Sequence, residues 1–182
     1  MSESVYAGKV PQHFVCTHEQ AREFVNKEKD FYISICACRQ SRGGCKRSPM
    51  DVCLSFIPGF TTETEKRPAT KQKALELVNL AGKVELITRP FRNADDPNVL
   101  DGICFCCPVC CHYFNHPESV CDKGTLREST ILEDCSACGL CVKSCYFGAR
   151  AIVDGKLSVD ADKCYGCGLC VDMCPAGCIS MR

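Results

Sequence analysis

The chain has no tryptophan. Much of its apolar content is cysteine, so a conventional core is modest and cross-links must supply part of the cohesion. It has no excess of either charge, with 22 basic side chains against 22 acidic ones. That balance argues against a nucleic-acid binder, whose usual footprint is basic. No apolar run approaches the roughly 18 residues that cross a bilayer, so no membrane span is expected. The segment Met1-Ser2-Glu3-Ser4-Val5-Tyr6 lacks a basic stretch and an apolar one, so no secretory leader is expected. Neither Gly-x-Gly-x-x-Gly nor a Walker loop occurs. No nucleotide cofactor is therefore expected on this chain, and a flavin, if used, sits on a partner.

What the chain has is cysteine, 20 in 182 residues. Such density means a disulfide scaffold or metal sites. Disulfides need an oxidising compartment. The missing leader favours a reducing cytoplasm and metal-bound thiolates.

The pattern of elements predicts an α+β fold in two parts. The first, residues 1–125, is a small cysteine-rich α/β module. Thr17-His18-Glu19-Gln20 reads as a capping box, with Ala21, Phe24 and Val25 following at helical spacing and the helix ending before Asp30. Phe31-Tyr32-Ile33-Ser34-Ile35 reads as a strand. Residues 36–60 form a cysteine-bearing loop, and 61–69 a polar surface connection. A second helix is expected from Thr70 to Ala81, stopped by Gly82, and a strand over Val84–Thr88. Residues 93–102 are turn-rich, and 115–126 read as a linker.

The second part, residues 126–182, is an internal repeat. Cys135-Ser-Ala-Cys138-Gly-Leu-Cys141-Val-Lys-Ser-Cys145 recurs 29 positions later as Cys164-Tyr-Gly-Cys167-Gly-Leu-Cys170-Val-Asp-Met-Cys174-Pro175. Each half is expected to continue into a helical turn and a strand. Iron in a [4Fe–4S] cube wants four soft thiolates. Three cysteines spaced two apart wrap one loop around three corners, and glycines let the main chain approach. Neither run contains histidine, and all-cysteine ligation favours a low potential.

Residues 126–182 resemble the bacterial two-cluster ferredoxins, whose signature is Cys-x2-Cys-x2-Cys-x3-Cys-Pro with crossed ligation. The resemblance implies two [4Fe–4S] clusters in a β-α-β repeat domain. Cys135, Cys138, Cys141 and Cys174 would hold one, and Cys164, Cys167, Cys170 and Cys145 the other. Tyr146 stands where the first half usually has proline, which would loosen that turn without removing a ligand. Cys178 lies outside the run and reads as a small buried residue.

Elsewhere, Cys36, Cys38, Cys45 and Cys53 form one group and Cys104, Cys106, Cys107, Cys110 and Cys111 another, while Cys16 and Cys121 are single. Cys36 and Cys38 share a face at a strand end, Gly43-Gly44 returns Cys45, and Cys53 completes a set of four. Adjacent cysteines point apart, so one cube cannot use both members of each doublet. Residues 30–115 also resemble a cysteine-rich iron–sulfur protein family of anaerobes. The resemblance rests on Cys36-Ala-Cys38-Arg39, Pro49-Met-Asp51-Val-Cys53-Leu54-Ser-Phe56 and the 104–111 run, and implies no specific role. Three readings stand for these nine cysteines: one or two additional all-cysteine Fe–S clusters, a non-cubane site, or zinc and buried free thiols. The doublets resemble the cysteine-pair modules of heterodisulfide reductases. His112 and His116 read as surface or turn residues beside Pro117, with metal ligation or proton shuttling as the alternative, and Arg39 and Arg42 as neighbours of thiolates or as solvated charges.

Three functions follow. The first is a multi-cluster electron carrier, exchanging single electrons at low potential with a redox protein or enzyme that carries flavin or metal. The second is a redox enzyme with a catalytic or non-cubane N-terminal cluster fed by the ferredoxin domain. The third is a redox sensor or adaptor.

Overall fold

The computed structural model describes residues 11–59, 65–116 and 121–182. The expected leaderless start and parts of the connections at 61–69 and 115–126 fall outside them.

Helix α1 spans His18–Lys27. Thr17 caps it by accepting from the Gln20 amide, while the Gln20 side chain accepts from the Thr17 amide, so the expected capping box forms. Strand β1 is Phe31–Ser34, and a one-turn helix α2 (Ala37–Gln40) follows directly. Cys36 is therefore the N-cap of a helical turn and Cys38 lies inside it, rather than extending a strand. Next come β2 (Cys53–Ser55) and β3 (Arg67–Ala69). Helix α3 spans Lys71–Lys83, capped by Thr70. Gly82 does not stop it; the turn falls later, where Glu85 takes a φ of 54°. The next strand is displaced accordingly: β4 is Ile87–Arg92, not Val84–Thr88. Strand β5 is Leu100–Cys106, and a short α4 spans His112–Asn115.

The five strands make one antiparallel sheet in the order β3-β1-β2-β5-β4. Both end strands of this order carry a proline, Pro68 in β3 and Pro90 in β4. Residues 13–16 run beside β4, with the Phe14 and Cys16 amides donating to Pro90 and Thr88 carbonyls. Alternation along the strands then sorts the side chains. Phe31, Ile33, Leu54, Ile103 and Phe105 meet Ala21 and Val25 of α1 and Ala74, Leu77, Val78 and Ala81 of α3. The intervening residues, Ser34, Cys53, Cys104, Cys106 and Arg89, belong to the opposite face.

The C-terminal part is built twice. A 3-10 turn, a cysteine loop, a one-turn helix and a strand occur in each half: α5 is Leu140–Lys143 and α6 is Leu169–Asp172. Each helix starts inside the Cys-Gly-Leu-Cys run, at a glycine with φ near +76° (Gly139) or +77° (Gly168). β6 (Glu128–Thr130) pairs with β9 (Ile179–Met181), and β7 (Arg150–Val153) with β8 (Lys156–Val159) through the left-handed turn Asp154-Gly155.

The two parts share a core. Val15, Ile87, Cys121 and Leu169 are buried together. The Val15 amide donates to Asp122, and that of Gly124 to Tyr165. His18 bridges the parts, with Nδ1 2.9 Å from Asp172 and Nε2 3.0 Å from the Leu86 carbonyl. Tyr146 does not loosen its turn. Gly148 bonds Cys145 as Gly177 bonds Cys174, and the Tyr146 hydroxyl accepts from Arg47 at 2.7 Å and donates to Glu85 at 3.1 Å. No helix among the described residues is long and apolar enough to cross a membrane.

Candidate metal centres

Two small cavities open in the C-terminal part. Cys135, Cys138, Cys141 and Cys174 line the first, so three cysteines come from one half and one from the other. Cys145, Cys164, Cys167 and Cys170 line the second, again crossing between halves. The first reaches the surface at Cys138, which is exposed beside the exposed apolar Leu140 and Ile152. The second is better shielded, and burial pushes Cys167 up to about 12. Burial likewise pushes Cys170 up to about 11, against the pull of Arg150. Cys178 is buried with its Sγ 3.5 Å from that of Cys174.

Arg150 is a residue that sequence reasoning missed. Its side chain is 1% exposed, ion-paired to Glu128, and donates to Thr130 at 2.8 Å and to Cys141 Sγ at 3.3 Å. It also lines the second cavity. One buried cation thus serves the thiolates of both sets. Burial would lower its pKa, but the charges of Cys170, Cys141 and Glu128 raise it.

A third, larger cavity of about 430 Å³ lies against the sheet face opposite the helices. Strand register builds it. Ser34 opposes Cys53, Leu54 opposes Ile103, and Arg89 opposes Cys104, so Ser34, Cys53, Cys104 and Arg89 form a row across four strands. Eight cysteines line it: Cys36, Cys38, Cys53, Cys104, Cys106, Cys107, Cys110 and Cys111. Contacts between thiols divide the nine N-terminal cysteines into two sets. Cys53 touches Cys104 and Cys36, Cys36 touches Cys38, and Cys111 touches Cys38 and Cys106. These six make a continuous arc. Cys45, Cys107 and Cys110 stand apart, their sulfurs all within 4.8 Å of one another. The set of four read from sequence, Cys36, Cys38, Cys45 and Cys53, does not form. Cys45 leaves the others because the Gly43-Gly44 bend turns it toward the 107–110 loop. The doublets do split: Cys106 and Cys111 join the arc, Cys107 and Cys110 the trio.

Two buried arginines attend these sets. Arg39, 1% exposed, donates to the Phe105 carbonyl at 2.9 Å. Its pKa, lowered by burial, is raised by Cys36, Cys45 and Cys110. Arg89 donates to Cys106 Sγ at 3.5 Å and Cys111 Sγ at 3.8 Å, and covers the Tyr113 ring at 3.9 Å. Arg39 Nε and Nη1 and Arg89 Nε are buried with no hydrogen-bond partner among the described residues. Buried cationic donors of this kind fit an anionic group in the cavity, as an all-thiolate iron–sulfur centre would be. Contact with Cys53 drives Cys104 well down, and His13, 4.0 Å away, lowers it further. Cys45 sits at about 7: burial raises it, but the Arg47 amide, Cys110 and Arg39 outweigh that. Cys16, pushed up to about 12 by burial, belongs to the core. Cys121 is buried beside Arg89. His112 lines the cavity and stacks on His116 at 3.6 Å. No local sequence signal marked Arg89, which stands between Thr88 and Pro90 like an ordinary surface charge.

An aromatic path joins the large cavity to the second small one. Tyr113 lines the former, and Phe147 and Tyr165 line the latter. Ring centroids lie 5.0 Å apart for Tyr113 and Phe114, 5.7 Å for Phe114 and Phe147, and 4.2 Å for the stacked Phe147 and Tyr165.

The model of the 4Fe-4S binding domain family matches residues 157–180. That match places at least one [4Fe–4S] cluster at this end and an iron–sulfur electron-transfer role with it. No curated protein and no solved structure matches the chain.

Proposed function

We propose that the chain is a multi-cluster electron carrier passing single electrons at low potential between a redox partner and a centre in its own N-terminal module. The observation that carries this reading is the crossed lining of the two small cavities, each by four cysteines. In it, Cys135, Cys138, Cys141 and Cys174 hold an outer [4Fe–4S] cluster, and Cys164, Cys167, Cys170 and Cys145 an inner one. The six-cysteine arc, Cys36, Cys38, Cys53, Cys104, Cys106 and Cys111, holds further iron–sulfur chemistry. The clusters supply one-electron exchange, and the chain does the rest. Exposed Cys138 with Leu140 and Ile152 offers a contact point to a redox protein carrying flavin or metal. Arg150 offsets negative charge between the two sets. The Tyr113–Phe114–Phe147–Tyr165 rings fill the gap between inner cluster and arc with polarisable contacts in place of water. Arg39 and Arg89 compensate the thiolate charge of the arc.

Counting iron and acid-labile sulfide in protein purified without oxygen, with EPR of the reduced form, tests the reading. We expect more than about eight iron per chain. Eight or fewer would restrict the clusters to the C-terminal part. Phe147→Leu is expected to leave the iron count unchanged and slow reduction of the N-terminal centre in stopped flow.

The size of the third cavity favours a second reading, a catalytic cluster with room for a small ligand beside it. Carbon monoxide added to the reduced protein would then change its spectrum. An unchanged spectrum leaves the carrier.

A further inference from the structure

Among the described residues, Cys45, Cys107 and Cys110 are set apart as three thiols that all converge on one another. Their three sulfurs lie within 4.8 Å of one another, and the Cys45 and Cys107 sulfurs are 3.8 Å apart. Metal–sulfur bonds of about 2.3 Å in a tetrahedron put their sulfurs about 3.8 Å apart. Thiolates around a cube bind four separate irons and radiate outward, so they stand wider. The crossed C-terminal sets supply the internal contrast: among the described residues, no other three cysteines, histidines or acids converge so tightly. We infer that Cys45, Cys107 and Cys110 hold a single soft divalent ion, zinc by ligand type and geometry, and not a corner of an iron–sulfur cluster.

Charge and access extend the inference. Three thiolates and a divalent ion carry a net single negative charge. Arg39, buried and set against Cys45 and Cys110, compensates it. No fourth cysteine, histidine or carboxylate joins the trio among the described residues. Three protein ligands with the fourth position open is the arrangement of a reactive zinc site rather than a closed structural one. Cys107 and Cys110 are buried and line the large cavity, while Cys45 is half-buried. The ligand class that suits the open position is a small thiol, or water in its absence. A thiol would bind as thiolate and release its proton to solvent, with no change in oxidation state. The cation of Arg39 favours such an anionic ligand. This rests on none of the iron–sulfur assignments above, which do not use these three cysteines.

The test uses the full chain, purified without oxygen from cells supplied with both iron and zinc. We expect about one zinc per chain, and X-ray absorption at the zinc edge with three sulfurs and one lighter atom in its shell. Adding a small thiol such as 2-mercaptoethanol should convert that shell to four sulfurs. Cys45→Ser should lose zinc at least tenfold more readily to a chelator, with its iron count unchanged. Zinc well below stoichiometric, or iron lost in Cys45→Ser, would overturn the site. A four-sulfur shell before any thiol is added would overturn its open position. The X-ray measurement is made on the unaltered chain, so a variant that fails to fold does not rescue the proposal. Loss of the C-terminal iron would count against the carrier reading alone.

Discussion

The two cysteine-rich regions reach their sites by different routes. In the C-terminal part, three of every four cysteines lie within one short loop, and the fourth comes from the matching position of the other half. In the N-terminal module the sulfurs are gathered from β2, from β5, from the turn of α2 and from the loop after β5, some 70 positions apart in sequence. A local loop needs only its own glycines, whereas a sheet-borne site needs correct register on four strands. The first is therefore expected to depend less than the second on strand register in the N-terminal module.

The largest effect that would break this comparison is on metal content. Cys164→Ser should remove about four iron per chain and leave the N-terminal metals in place. Cys53→Ser should leave the C-terminal iron and lose the N-terminal. Metal analysis of both variants, each paired with EPR, distinguishes local from register-dependent assembly. Next comes Arg150. Its side chain is 1% exposed and Glu128 is 11% exposed, so Arg150→Met leaves a largely buried carboxylate with the Thr130 hydroxyl but no cation beside it. The expected loss is about 3–5 kcal/mol in denaturant unfolding. Removing Glu128 as well should recover much of it.

Smaller effects sharpen the register argument. A Cβ on Gly102 would stand 2.3 Å from the Leu54 carbonyl oxygen, so Gly102→Ala must push β2 from β5. The expected cost is about 1–3 kcal/mol, together with altered N-terminal metal content and an intact C-terminal EPR signal. Smallest is Thr17→Ala. Losing the cap of α1 should cost about 1 kcal/mol, read as a shift in the unfolding midpoint.

What the sequence made legible follows the same division. The repeat of Cys-Gly-Leu-Cys identified the C-terminal loops because cysteine spacing there is set by adjacent residues of one loop. The capping box at Thr17-Gln20 and the strand at Phe31 were equally local. The end of α3 was not: Gly82 is a good stop residue, yet the packing of Ala81 carries the helix to Lys83 and moves the next strand to Ile87. The division of nine N-terminal cysteines into six and three was hidden for the same reason. It depends on Leu54 opposing Ile103, a pairing nearly fifty residues apart that no local pattern encodes. Arg89 and Arg150 were overlooked because a buried arginine reads, in sequence, like any surface charge.

The seam at His18 has a consequence for heredity rather than chemistry. Small iron–sulfur domains are readily pictured as cassettes, copied from gene to gene. Here Leu169, 1% exposed, is covered by the other module, and a Cβ on Gly168 would lie 3.1 Å from the Thr17 methyl group. A tail transplanted alone would carry away a bare apolar patch and an Asp172 without its imidazole. Recombination near residue 126 is therefore disfavoured, and substitutions on the two sides of the seam are expected to be inherited in pairs.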